Sequence, residues 1–321
     1  MSSMHRRRSV DRRGSCVDRR GDGRRRKTVP GKTCERNFVS AIKTKGEVIM
    51  ATATSKLGSP KVVSQTEWLA ARKELLAKEK EFTRLRDELS RQRRELPWEK
   101  VEKNYVFDGP NGKEILADLF GSKSQLIIYH FMLGPDWVEG CAGCSFVSDH
   151  IDGIVPHLAA RDIRMAVVSR APLAQIETFK KRMGWRFHWV SSFGSDFNYD
   201  YHVSATKEEL AQDEVYYNYK MQKFPSEERP GTSVFYKDES GNIFHTYSSY
   251  ARGGDLQIGA YNWIDLTPKG RDEDGLKHKM NWLRHHDKYD DTYKHDAQAA
   301  YVEPAKSTGS NTNAKSSCCR D

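Results

Sequence analysis

Of the six cysteines in the chain, only Cys141 and Cys144 lie in its core sequence; Cys16, Cys34, Cys318 and Cys319 fall in the low-complexity ends. The four-residue run Cys141-Ala142-Gly143-Cys144 sets two thiols one helical turn apart if a helix begins there. At a helix start the first backbone N–H groups are unpaired and the dipole end is positive, so a thiolate is stabilised and its pKa falls. Cys141 is therefore expected to be the attacking nucleophile. Cys144 is expected to reach back and convert a mixed disulfide into an intramolecular one. Trp137 is expected either to shield the edge of that disulfide and offer an apolar surface to a partner or simply to pack, while Asp136 and Glu139 would oppose thiolate formation if they lay close.

Rival chemistries are less well served. Tetrahedral zinc needs four ligands, and no second ligand pair follows; His130 and His150 are the nearest candidates, and a strand histidine reads more simply as a hydrogen-bonded structural residue. An iron–sulfur cluster lacks cysteines. A thiol peroxidase is the closest chemical alternative, yet the positions seven and three residues before Cys141, where the peroxidatic signature has Pro and Thr, hold Gly134 and Val138. No cofactor is expected. The electron donor or acceptor would be external, a redox protein or a low-molecular-weight thiol.

The elements that must position the pair can be read from the flanking pattern. Residues 125–132 and 163–169 are near-continuous apolar runs of strand length, as expected of parallel strands covered on both faces. Between them 144–160 reads as a helix, giving a right-handed strand–loop–helix–strand unit. A second helix is expected over 173–183, opened by Pro172 and ended by Gly184, then a short strand over 187–191. Residues 232–237 and 242–247 flank a polar turn and predict a hairpin. The aromatic stretch 191–201 reads as packing, with an active-site mouth as the alternative, and Tyr216, Tyr217 and Tyr219 also read as packing. Upstream, Ser64-Gln65-Thr66-Glu67 has capping-box spacing and opens a long charged amphipathic helix over 64–92, which would cross a core or pair with a partner helix, making a homo-oligomer possible.

Composition bounds the rest. In 321 residues, 37% hydrophobic and 11% aromatic content suffices for a sizeable core. The net charge of +9 is uneven: residues 1–49 hold 15 of the 53 Lys/Arg and 5 of the 44 Asp/Glu, so the remainder sums to −1. A nucleic-acid partner would thus rest on the arginine clusters of this tail alone, and a solvated extension is the simpler reading. Asp11, Asp18 and Asp22 speak against a transit peptide, and the run beginning at Met50 looks like an ordinary protein start. No apolar run reaches the ~18 residues that span a bilayer, so a cytoplasmic protein with no membrane partner is expected. The expected organisation is a basic disordered extension over 1–59, a domain over 60–284 that includes the 64–92 helix, and a disordered polar tail over 285–321.

The run Tyr129-His130-Phe131-Met132-Leu133-Gly134-Pro135-Asp136-Trp137-Val138-Glu139-Gly140-Cys141-Ala142-Gly143-Cys144-Ser145-Phe146 resembles the hallmark segment of an uncharacterised bacterial family of thioredoxin-like proteins, generally described as predicted dithiol-disulfide oxidoreductases. Val168-Ser169-Arg170-Ala171-Pro172, Met183-Gly184-Trp185, the stretch 191–200 and the stretch 265–271 match as well, so the resemblance spans about residues 60–275. It implies an α/β thioredoxin-like fold, a central mixed sheet flanked by helices, and a thiol-redox role. Thioredoxins place a cis-proline just before the strand that faces the active site. That position falls near Gly231 or Thr232, with Pro230 a residue or so away, which makes Gly231 and Thr232 candidate surroundings of the pair. A thioredoxin-fold binding or adaptor module without turnover is the alternative from a different functional class.

Overall fold

Ser64 opens the first ordered element. Its hydroxyl accepts a bond from the Glu67 N–H while the Glu67 carboxylate accepts one from the Ser64 N–H, a reciprocal cap on helix α1 (Gln65–Arg94). Ala, Leu, Glu, Lys and Arg fill this helix, all strong helix formers, yet none of its residues is buried. The computed structural model from which these elements are taken describes residues 58–212, 214–289 and 304–306. After α1 come β1 (Glu99–Lys100) and the hairpin β2 (Val106–Gly109) and β3 (Gly112–Ile115). The central unit follows: β4 (Gln125–His130), helices α2 (Ala142–Ser148) and α3 (Ile151–Ala159), β5 (Ile163–Ser169), α4 (Leu173–Arg182) and β6 (His188–Ser191). Short helices α5 (Phe197–Asp200) and α6 (Lys207–Ala211) and a small separate hairpin, β7 (Val215–Tyr217) with β8 (Lys220–Gln222), lead to the long hairpin β9 (Gly231–Lys237) and β10 (Ile243–Tyr250), and then to α7 (Gly259–Ile264).

The eight-stranded sheet has the order β1-β10-β9-β4-β5-β6-β2-β3. Strands β4, β5 and β6 are parallel, and β9 joins β4 antiparallel with Thr232 opposite Tyr129 and Gly231 opposite His130. This is the expected thioredoxin-like arrangement, a mixed sheet between helices. Side chains alternate across it. Leu126 and Ile128 of β4 enter one core with Ala166, Val168, Phe197, Tyr201 and Phe235; Tyr129 and Phe131 enter the opposite core with Val167, Ile151, Ile176 and Trp189. Each fully buried aliphatic side chain contributes about 1.5–3 kcal/mol. The same parity points Tyr129 toward the cysteines and His130 away from them.

Two expectations change in detail. The single helix expected over 144–160 is two, α2 and α3, with a break at Asp149 and His150. Anchored side chains fix the break: Asp149 accepts from the Trp185 indole, and His150 Nε2 accepts from the Ala260 N–H. The folded part also runs past the expected boundary at 284. His285 is buried with its Nε2 2.8 Å from the Gly140 carbonyl, Asp287 pairs with Arg182, and Lys288 pairs with Glu139. The Val138 N–H donates to the Ala305 carbonyl beside a bridge between Trp137 and Lys306. The basic segment with its arginine clusters, and Cys16, Cys34, Cys318 and Cys319, lie outside the described residues. Among the described residues no helix is long and apolar enough to cross a membrane.

Candidate active site

Strand β4 ends at His130, and the chain then loops through Gly134 and Pro135 to start α2 with Cys141 at its N-cap, in an extended conformation (φ −60°, ψ 131°). Gly140 permits the approach: a Cβ there would come within 2.4 Å of the Phe131 ring and 2.8 Å of Phe179. Met132 ties the loop to the motif from both directions. Its carbonyl accepts from the Cys141 N–H at 3.0 Å, and its own N–H donates to the Cys144 sulfur at 3.4 Å. Ser145 closes the first turn by donating its N–H and its hydroxyl to the Cys141 carbonyl. Both cysteines are free thiols, Cys141 partly exposed and Cys144 buried.

Their environments push the two thiols in opposite directions. The Cys144 thiol donates to the Cys141 sulfur and, with the backbone N–H groups of Cys144 and Gly143, overcomes the opposing effect of burial to bring Cys141 down to about 7. Burial pushes Cys144 well up, and the hydrogen bond and charge of Cys141 push it further; the Tyr129 hydroxyl and the Met132 N–H act the other way. Burial, and then Cys144, likewise hold Tyr129 protonated far above its ordinary range. The site therefore offers one thiolate near neutral pH and one thiol that keeps its proton.

A cavity of about 300 Å³ opens on the pair. Its walls come from Tyr129, Met132 and Val147 on the cysteine side, from Phe224, Pro230, Gly231 and Thr232 across from them, and from the 249–258 segment with Met280. The rim's backbone is already occupied: the Arg229 N–H donates to the Val203 carbonyl, the Pro230 carbonyl accepts from the Tyr217 hydroxyl, and Gly231 and Thr232 lie within the sheet between β4 and β10. The Thr232 hydroxyl donates to Gln257. Gly231 is required by packing, since a Cβ would sit 2.7 Å from the Tyr250 ring. Among the described residues no peptide bond is cis, so Pro230, immediately before β9, is trans.

Four of the residues singled out in the sequence, Cys141, Cys144, Gly231 and Thr232, thus meet at one cavity; Trp137 and Asp136 do not line it. Of the two readings for Trp137, the structure shows packing and not a surface at the disulfide. Trp137 is 1% exposed, packed into the core beneath the loop, and offers no surface to a partner, while its neighbour Val138 is 60% exposed. The alternation of the loop after Gly134 turns the indole inward, where a large apolar ring gains most from burial. Asp136 is exposed. Glu139 is tied to Lys288 and Arg182: burial would raise its pKa, but bonds from those two residues hold it low. His130 lies on the opposite side of the sheet, bonded to Ser233. The 191–201 stretch packs: Phe197 and Tyr201 are core residues, and Tyr199 holds Arg170 in place while Arg170 pairs with buried Glu228 at 2.5 Å. Tyr129, Met132, Phe224, Tyr250 and Met280 also wall the cavity. Only Tyr129 carries a sequence signal, its parity on β4.

The family model described as "Bacterial protein of unknown function (DUF899)" matches residues 57–289. The chain belongs to that family. No curated protein is significantly similar. Among solved structures, the chain is similar to a cysteine-to-serine mutant of PrxQ from Xylella fastidiosa (12% identity, 52% of this chain and 94% of that one, TM-score 0.35). It is also similar to the peroxidoxin BcpB of Mycobacterium tuberculosis (12% identity, 53% and 97%, TM-score 0.31) and to the mitochondrial 2-Cys peroxiredoxin of Plasmodium falciparum (13% identity, 52% and 94%, TM-score 0.32). Likeness at this level carries no argument about chemistry.

Proposed function

We propose that the protein is a dithiol-disulfide oxidoreductase in which Cys141 attacks and Cys144 resolves. The observation that carries this reading is a helix-capping thiol held near neutral pKa, hydrogen-bonded to a second, buried thiol, with both facing a cavity. The Cys141 thiolate attacks one sulfur of a disulfide RS–SR; a Cys141–S–S–R bond forms, the RS–SR bond breaks, and one RS⁻ leaves to be protonated. Cys141 is then neutral and no longer an acceptor. Two of the three influences that raised Cys144 vanish, while Tyr129 and the Met132 N–H still favour its thiolate. The first step thereby activates the second: Cys144 releases its proton to the departing thiolate and attacks the Cys141 sulfur, the Cys141–Cys144 bond forms as the Cys141–S–S–R bond breaks, the second R–S group leaves as RSH, and two electrons have passed from the pair to the substrate. An external dithiol restores the reduced pair, or an external disulfide drives the cycle in reverse.

The walls favour a small substrate. At ~30 Å³ per water-sized volume, the cavity of about 300 Å³ takes roughly ten non-hydrogen atoms of apolar character. An extended peptide would need free backbone donors and acceptors at the rim, where the Arg229 N–H and the Pro230 carbonyl are already engaged within the chain. Peroxide reduction could use the same thiolate but has no hydroxyl at position 138 to orient the peroxide.

The test is turnover with a small dialkyl disulfide, insulin and hydrogen peroxide, each with a dithiol as reductant. The small disulfide should be consumed fastest, and Cys141→Ser should abolish turnover. Peroxide consumption in preference would move the assignment to peroxidase. No turnover of any of the three, with partner binding retained in Cys141→Ser/Cys144→Ser, would make the protein an adaptor.

A further inference from the structure

Helix α1 is about 45 Å long at ~1.5 Å per residue, and it has no buried residue. A helix of this length with an apolar row would be expected to cover that row, because most helical stability comes from packing. Trp68, Leu75, Phe82 and Leu89 recur at every seventh position, and Leu96 continues the spacing just beyond the helix. The row is bare: Trp68 is 57% exposed, Leu75 52% and Phe82 61%. Leu85, three residues after Phe82, broadens it. A two-helix coiled coil packs a row like this together with the positions three residues on, here Ala71, Lys78, Leu85 and Gln92, so the seam is apolar throughout at its first position and at two of four at its second.

The residues flanking the seam say what covers it. The position before each seam residue is a glutamate throughout: Glu67, Glu74, Glu81 and Glu88. The position four after each is Arg72, Glu79, Arg86 and Arg93. In a parallel pair of such helices, each residue of the first row meets the residue five further along the second row of the other helix. The meetings are then Glu67 with Arg72, Glu81 with Arg86 and Glu88 with Arg93, all attractive, and only Glu74 with Glu79 is not. An antiparallel pair would set glutamate row against glutamate row. The pattern is complementary to itself in one orientation.

We propose that α1 forms a parallel, two-stranded coiled coil with the α1 of a second copy of this chain, with Trp68, Leu75, Phe82 and Leu89 in the seam. Parallel pairing places both thioredoxin-like domains at the same end, beyond Leu96, and leaves each cysteine pair in its own chain. The dimer is independent of the redox chemistry.

Sedimentation of the full chain tests this. The chain should sediment as a dimer at micromolar concentration. Phe82→Glu, which puts two carboxylates into the seam, should raise the dissociation constant at least ~100-fold, with unchanged Cys141 alkylation showing that the domain remains folded. Glu81→Arg should weaken the dimer roughly three- to tenfold, and adding Arg86→Glu in the same chain should restore it, a rescue that an antiparallel pair would not show. A chain that stays monomeric, as it would if another protein supplied the partner helix, overturns the proposal. So does a dimer indifferent to Phe82→Glu, or one weakened by Glu81→Arg without rescue.

Discussion

Replacing Cys144 with Ala should raise the pKa of Cys141 by an amount that can be worked from the site. The substitution removes the largest stabiliser of the Cys141 thiolate, the thiol-to-sulfur hydrogen bond, and leaves burial opposed by two backbone N–H groups. A hydrogen bond to a charged group contributes about 1.5–3 kcal/mol. At ~1.36 kcal/mol for each pKa unit, that lifts Cys141 from about 7 back toward its ordinary 9.0. At pH 7 the thiolate fraction falls from about one half to between roughly one tenth and one hundredth, so alkylation should slow ~5- to 50-fold. At high pH the variant and the parent should react alike. The assay is the pH dependence of the iodoacetamide rate, read as the Cys141-containing peptide by mass spectrometry so that the other thiols do not contribute. A midpoint that does not move, or moves down, would refute the claim that Cys144 holds the Cys141 charge.

Other outcomes follow from residues around the site. Trp137→Ala should cost ~3–5 kcal/mol in denaturant stability while leaving the Cys141 midpoint in place, because the indole is core rather than active-site surface. Arg170→Ala should destabilise by ~3–5 kcal/mol, since it strands the buried Glu228 carboxylate, and this loss should shrink as pH falls and Glu228, whose pKa burial already raises, takes up a proton. Burial lowers the pKa of His285, so its neutral form belongs to the fold; its contribution is complete above about 6.5 and is lost as pH falls from there through the lower folded value. Proteolysis within 285–289 should accelerate on acidification across that window, and His285→Ala should cleave readily at every pH. Val147→Phe, which fills part of the cavity wall, should slow small-disulfide turnover more than tenfold with little change in iodoacetamide rate.

The central unit was legible because its physics is local. The apolar runs at 125–132 and 163–169 have the length and composition of strands covered on both faces, and Ser64 with Glu67 has the spacing that starts α1. The placement of Gly231 and Thr232 opposite the cysteines followed from the resemblance, and the β4–β9 register brings them there. What stayed hidden depends on long-range packing. Trp137 looks from sequence like any loop aromatic, and only the turn after Gly134 decides that it faces inward. Met280 and the 249–258 segment wall the cavity without any local pattern that points to the cysteines. His285 sits in a polar stretch, and its burial depends on the Gly140 carbonyl far away in the chain. The direction of Cys144 is a similar case: spacing sets its reach to Cys141, but its raised pKa depends first on burial, which no local pattern shows, and then on the Cys141 sulfur.

The division of labour between the two cysteines is tested most directly by trapping. The Cys144→Ser protein, reduced and then mixed with a small dialkyl disulfide, should accumulate a stable mixed disulfide at Cys141, found by peptide mass spectrometry with one alkylthio group added. The Cys141→Ser protein should accumulate none. An adduct at Cys144 in the Cys141→Ser protein, formed as fast as the Cys141 adduct, would contradict the assignment of nucleophile and resolving thiol.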